Sequence, residues 1–370
     1  MTKHKTCAII LAAGQSSRMK TLKPILNIEN KPAIIRLVDT FKAAGIEDIT
    51  IVVGYHADRL KETLASYHLN YQLNPQPSDG MFSSIQAGLS KLDQTYEGVF
   101  IIPADIPLIK ESTLMQLLEC FNQHPSSIIL PTCLGQTGHP VLISKKYITK
   151  ILEASKEAHL NYLLETWQED CIEMPCFDQS ILMDMDTPEA YKEILSFAKT
   201  QHYPSKELCY MIWERYHLSE NIRQHSIAVA SIAVRLAKAL NQTGIEPINI
   251  PKLEAAALLH DIVRKEKNHA EKGADLLIDI GFPEIAPAVA AHMTLDFKGE
   301  ITYVELLYLS DKLSRHHQYC PLEERLAEMR TLYPAHQAEI EKRFSTAMAI
   351  KLEVERLLAI NDLYQYLNLF

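Results

Sequence analysis

The chain has 370 residues, 47% of them apolar, and a formal net charge of −9. That length gives two or three domains, and an acidic balance without a Lys/Arg block excludes nucleic acid as a bulk partner while allowing a local anion site. With no run of about 20 apolar residues and no signal-like N-terminus, no membrane is expected, and seven cysteines without a C-x-x-C or regular framework predict reduced thiols in a cytoplasmic protein.

The first apolar run, Cys7 to Ala12, reads as a buried strand that empties into a polar turn containing Gly14, Ser16, Ser17 and Arg18. Such a turn in an α/β unit presents backbone N–H groups to a phosphate, and Arg18 and Lys23 add positive charge there. Neither a P-loop nor a G-x-G-x-x-G fingerprint is present. Helical spacing follows over Pro32 to Ala44, then a β-branched run over Ile49 to Val53 and a helix over Ala57 to Tyr67. This alternation predicts a mostly parallel sheet covered on both faces. A polar segment, Asn74 to Gly80, leads into a helix over Met81 to Leu92, whose small polar residues either cap it or receive a base or phosphate. The buried strand Val99 to Ile102 ends at Asp105, which is either a Mg²⁺ ligand in the crevice at the strand ends or the N-cap of the helix beginning near Pro107. Ser127 to Leu130 is another strand, followed by Gly138, His139 and Pro140; His139 is either a site residue or a surface histidine. Asp184 and Asp186, two apart, are expected on one side of a strand, where paired carboxylates cap, share a proton or meet a cation.

The string LAAGQSSRMKTLKPIL resembles the start of the MobA/MocA-like nucleotidyltransferases, with Lys20 standing where that pattern has Gly. The resemblance covers residues 5 to 198. It implies a three-layer, Rossmann-like α/β nucleotidyltransferase domain over residues 1–200 that moves NMP from an NTP to a small phosphorylated acceptor. By it, Leu11, Ala12, Ala13 and Gly14 form the nucleotide loop, and Asn74, Gly80, Met81 and Ser84 a second binding segment. Gly138 and His139 close over the site. Arg18 and Lys23 meet the triphosphate. Asp105 holds Mg²⁺ with Asp186, Asp184 being the second choice for that partner. The LAAGxSxRM and GHPVL strings lean toward the cytidylyltransferase branch of molybdenum cofactor synthesis, with CTP favoured over GTP and molybdopterin as acceptor. The other reading is a sugar- or alcohol-phosphate acceptor.

Thr200 to Ser205 is short and polar and contains Pro204, which makes it the boundary. Beyond it the chain reads as helices separated by Gly/Pro turns, an all-α domain over residues 206–370. Asn221 to Leu240 carries His225 in its first turns. Leu253 to Leu259 runs into His260 and Asp261. His269 heads a further helix, and His292 and Asp311 interrupt apolar ones. Brought together, these imidazoles and carboxylates suit Fe, Mn, Co or Zn; left apart, they are surface residues and caps.

The order H…HD…D over His225, His260, Asp261 and Asp311 resembles the HD-domain phosphohydrolases, across residues 218 to 316. His269 and His292 correspond to the extra histidines of the two-metal subgroup. HDIV replaces the commoner HDIG, and a GYP segment is absent. The resemblance implies one or two transition metals and hydrolysis of a phosphate ester or anhydride, with Arg264 or Lys265 on the substrate phosphate. The non-catalytic alternative is a regulatory or nucleotide-sensing HD module. Pro321 to Phe370 reads as two amphipathic helices that pack on the domain or join a second copy.

Overall fold

The computed structural model describes residues 4–15, 18–19, 21–155 and 157–368, and places them in two compact units, Met1–Gln201 and His202–Phe370. Ser16, Ser17 and Lys20 of the opening turn lie outside the described residues.

The first unit is built on a mixed sheet. From one edge its strands run Cys171–Pro175, Ile128–Cys133, Val141–Ser144, Gly98–Pro103, Thr6–Ala12, Ile49–Val53 and Tyr71–Leu73, with Gln136–Thr137 paired on Ile128–Cys133. Val141–Ser144 runs antiparallel to both of its neighbours, and the central pairs are parallel. Thr6–Ala12 can sit at the centre because it has no charged residue and is buried on both faces from Cys7 onward. Sequestering one isoleucine such as Ile9 or Ile10, both fully buried, contributes about 1.5–3 kcal/mol.

Strand order is what positions the site. From Thr6–Ala12 the chain goes first to Ile49–Val53 on one side and later to Gly98–Pro103 on the other. This is a topological switch point, where the loops leaving adjacent parallel strands diverge and open a crevice. Leu11 pairs with Pro103, and the Ala104 N–H donates to Leu11 O at 2.9 Å. The loops carrying Gly14 and Asp105 therefore emerge side by side.

Asp184 and Asp186 do not lie on a strand. Gln179–Leu182 is a 3-10 turn capped by Asp178, and no strand lies between it and the helix Pro188–Ala198. The Asp184 carboxylate instead accepts from the Asp186 N–H at 2.9 Å, a local turn that competes with extended pairing. Thr187 then caps the helix Pro188–Ala198 by accepting from the Ala190 N–H.

Asp178 was not singled out from sequence, yet it ties the site's segments together. It is buried, and it accepts from the Lys110 N–H (2.8 Å), Thr113 Oγ1 (2.8 Å), the Ser180 N–H (3.1 Å) and Ser180 Oγ (2.6 Å). Asp178→Ala would strand several buried donors and is expected to lower stability by about 3 kcal/mol, read from urea unfolding. A loss under about 0.5 kcal/mol would mean that these bonds are replaced by water.

The second unit is helical apart from one small hairpin, Ser314–Arg315 with Gln318–Tyr319. Glu220–Leu240 packs against Ile250–Leu259 and Tyr303–Lys312. Local signals fix the ends. Ser205 and Asn249 cap the helices Lys206–Arg215 and Ile250–Leu259, and Thr302 with Glu305 forms a capping box on Tyr303–Lys312. Among the described residues the tail holds three α-helices rather than two: Leu322–Leu332, Gln337–Leu358 and Leu363–Asn368. The last break falls at Ala359, whose φ of 53° cannot continue a helix. Among the described residues, no helix is long and apolar enough to cross a membrane.

Candidate functional site

In the first unit a cavity of about 510 Å³ opens at the switch point. Leu11, Ala12, Ala13, Gly14, Lys23, Gly80, Met81, Ser84 and Asp105 all line it. Gln15, Tyr55, Pro77 and Ser78 line it too and were not foreseen; Tyr55 follows Gly54 at a strand end, the one signal available.

Asn74 is buried behind this wall. Its amide donates to Ser83 Oγ (2.9 Å) and Ser84 Oγ (3.0 Å), and its oxygen accepts from the Gln76 N–H (2.9 Å). It shapes the helix entry at Gly80, where a φ of 85° favours glycine. The N-cap residue of the helix Met81–Leu89 is Gly80, which has no side chain to cap it.

The charged side converges on Lys23. Its ammonium donates to Asp105 Oδ2 at 2.9 Å and to Asp186 Oδ1, and Arg18 Nη1 donates to Asp186 Oδ2 at 2.7 Å. Burial works against the Lys23 charge, but the hydrogen bonds it donates to Asp105 and Asp186 outweigh burial and raise its pKa. The Lys23 bond likewise holds the Asp186 carboxyl below its ordinary value. The ammonium thus brings two carboxylates to one point, and carboxylate oxygens are the donor type that a hard divalent cation takes. Asp105 does not cap a helix: the next one begins at Glu111, and Lys110 is its N-cap residue. Asp186 rather than Asp184 meets Lys23.

The Gly138–His139–Pro140 segment packs on the 3-10 turn before Asp184. His139 N–H donates to Ile181 O at 3.0 Å, and a Cβ on Gly138 would lie 2.4 Å from that same oxygen. Only glycine permits this approach. The His139–Pro140 peptide is cis. Burial lowers the His139 pKa, with Asp105 opposing, and its Nδ1 is buried without a hydrogen-bond partner.

In the second unit all six singled-out residues come together around Asp261. Its Oδ2 lies 3.5 Å from His260 Nε2 and 4.0 Å from His225 Nε2. Asp311 Oδ1 joins that side, 3.1 Å from His225 Nε2 and 3.7 Å from His260 Nε2. Asp261 Oδ1 faces the other way, 3.3 Å from His269 Nε2 and 3.4 Å from His292 Nε2. One carboxylate thus presents an oxygen to each of two ligand groups.

Tautomers follow from the backbone. Nδ1 of His225, His260 and His292 faces the carbonyl oxygens of His316 (2.9 Å), Ala257 (2.8 Å) and Val289 (2.6 Å). A carbonyl only accepts, so Nδ1 carries a proton and Nε2 is the nitrogen that faces the centre. His260 Nε2 is fully buried without a hydrogen-bond partner, a cost that a metal would remove. The N and O donor set therefore fits a transition metal.

Burial pushes His260 down to about 4 against the pull of the nearby carboxylates. For His225 burial also pulls downward, but the Asp311 hydrogen bond wins and its pKa is raised. Burial disfavours both carboxylate charges. His260, with bonds from His269 and His292, nonetheless holds Asp261 well below its usual range, and Lys312 with His225 does the same for Asp311. Arg264 reaches Asp261 Oδ1 at 3.3 Å and His269 Nε2 at 2.9 Å.

Fold and site together define an α/β domain of the nucleotidyltransferase class followed by a helical HD domain. The chain carries a MobA-like NTP transferase domain, matched over residues 8–171, and an HD domain, matched over residues 222–316. Over 288 residues it is 23% identical to the bifunctional protein GlmU of Idiomarina loihiensis, covering 77% of this chain and 56% of that protein. A 148-residue stretch is 32% identical to GlmU of Pseudoalteromonas atlantica, covering 39% and 32% respectively. The chain spans about half or less of the length of these curated relatives. Rv0371c of Mycobacterium tuberculosis H37Rv aligns with 53% of this chain and 100% of its own, at 19% identity and a TM-score of 0.48.

Proposed function

We propose that the first unit transfers an NMP from an NTP to a small phosphorylated acceptor, releasing pyrophosphate, and that the second unit is a metal-dependent phosphohydrolase. The observation that carries the first reading is the pair Asp105 and Asp186 joined through Lys23, with Asp105 and Lys23 lining the switch-point cavity. The NTP lies in the cavity with its phosphates on the Gly14 loop and the Met81 helix start. Lys23 and Arg18 exchange their carboxylate partners for phosphate oxygens. Asp105 and Asp186 would hold Mg²⁺, which when bound neutralises charge between the α-phosphate and the incoming acceptor oxygen. His139, whose pKa burial lowers, would border the acceptor side. Position and charge supply most of the rate in such a transfer.

The finer reading takes CTP as donor and molybdopterin as acceptor, supported by the resemblance of LAAGxSxRM and GHPVL to that branch. A nucleotide-by-acceptor screen with pyrophosphate readout tests it. Turnover with CTP and molybdopterin is the expected result; turnover only with sugar or alcohol phosphates overturns the acceptor, and none with any pair overturns the transferase.

In the second unit, His225, His260, Asp261 and Asp311 would hold one metal, and Asp261, His269 and His292 a second. Such ions when bound supply Lewis acidity and lower the pKa of a water. Arg264, exposed beside Asp261, would take a substrate phosphate, with Lys265 following it. The regulatory reading predicts metal or nucleotide binding without phosphate release.

A further inference from the structure

Lys312 was not singled out by any motif, and neither reading above uses it. It is buried at the end of the helix Tyr303–Lys312. Its ammonium donates to Asp311 Oδ2 at 2.8 Å and to the main-chain oxygen of His292. It also lies 4.3 Å from the centre of the Tyr308 ring, one turn earlier on the same helix. Burial lowers the Lys312 pKa, and Asp311 opposes that shift.

These contacts fall on both halves of the ligand cluster. Asp311 belongs with His225 and His260, on the Oδ2 side of Asp261; His292 belongs with His269, on the Oδ1 side. Lys312 bridges one ligand of each. By occupying Oδ2 it leaves Asp311 only Oδ1 to present inward, so the carboxylate binds through one oxygen. By holding His292 O it fixes the end of the helix Ala286–Ala291, from which the His292 ring projects. A buried ammonium with two such partners is ordered, and groups that orient metal ligands typically change metal affinity by about 10–100-fold when removed.

We propose that Lys312 is a positioning residue that sets Asp311 to one-oxygen coordination and couples the two halves of the HD-domain centre. This rests on the metal-centre reading above. The test uses the full chain, stripped of metal and titrated with Mn²⁺ for affinity and Co²⁺ for its visible spectrum, comparing wild type with Lys312→Met. The expected result is affinity weaker by about 10–100-fold and an altered Co²⁺ ligand-field spectrum as Asp311 gains a second bonding oxygen. Wild-type affinity and spectrum in the folded variant overturn the positioning role alone. Absence of Mn²⁺ and Co²⁺ binding in the wild type overturns the metal centre itself. Where Lys312→Met does not fold, Lys312→Gln, whose shorter amide cannot serve both acceptors, is expected to show the same weakening. Unfolding of both variants, checked by circular dichroism, makes Lys312 a stability residue and overturns the proposal.

Discussion

Asp105→Asn is expected to lower pyrophosphate release from NTP and acceptor by about 10³-fold or more. The substitution keeps volume and one oxygen acceptor but removes the charge. Asp105 leaves the sheet directly after Ala104, whose N–H is fixed to Leu11 O, and its own carbonyl accepts from the Met185 N–H at 3.1 Å. The backbone geometry therefore survives, and Lys23 keeps Asp186 as a partner. Folding should change little while turnover collapses. Stopped-assay pyrophosphate measurement alongside urea unfolding separates the two. Wild-type turnover would remove Asp105 from the metal site, and with it the role given to Asp186.

The second large effect concerns Asp261. Asp261→Ala is expected to empty both halves of the HD-domain centre, weakening each by more than about 100-fold, because loss of a ligand exceeds loss of a supporting group. His292→Ala should empty only the half that it shares with His269. Elemental analysis after dialysis against Mn²⁺ distinguishes the outcomes. Equal metal content in Asp261→Ala and His292→Ala would show that Asp261 does not bridge. The contrast follows from the opposite facing of its two oxygens, toward His260 on one side and toward His269 and His292 on the other.

Strands were legible where burial on both faces forces a continuous apolar run: Ile49–Val53 stands where it was read, and Cys7 to Ala12 gains only Thr6. The Asp184/Asp186 stretch misled because alternation of apolar and acidic residues is also what a capped turn produces. What decided it was the buried Asp178, whose partners Lys110 and Thr113 are more than 60 positions away and invisible to local pattern. The cluster around Asp261 could be read as residue types but not as geometry, since its members arrive from several separate helices. Lys312 was missed because a lysine near a helix end reads as solvated. One signal was present: it lies four positions after Tyr308 and three after Leu309, on the apolar face of that helix.

The raised pKa of His225 gives that centre a chemical cost of assembly. With Nδ1–H committed to His316 O and Nε2 bonded to Asp311 Oδ1, the ring holds its second proton more firmly than burial alone would allow. An incoming metal must displace it, because coordination needs the neutral ring. A metal loaded into the HD domain would thus exchange for a proton at His225, and acidification would favour the apo protein there.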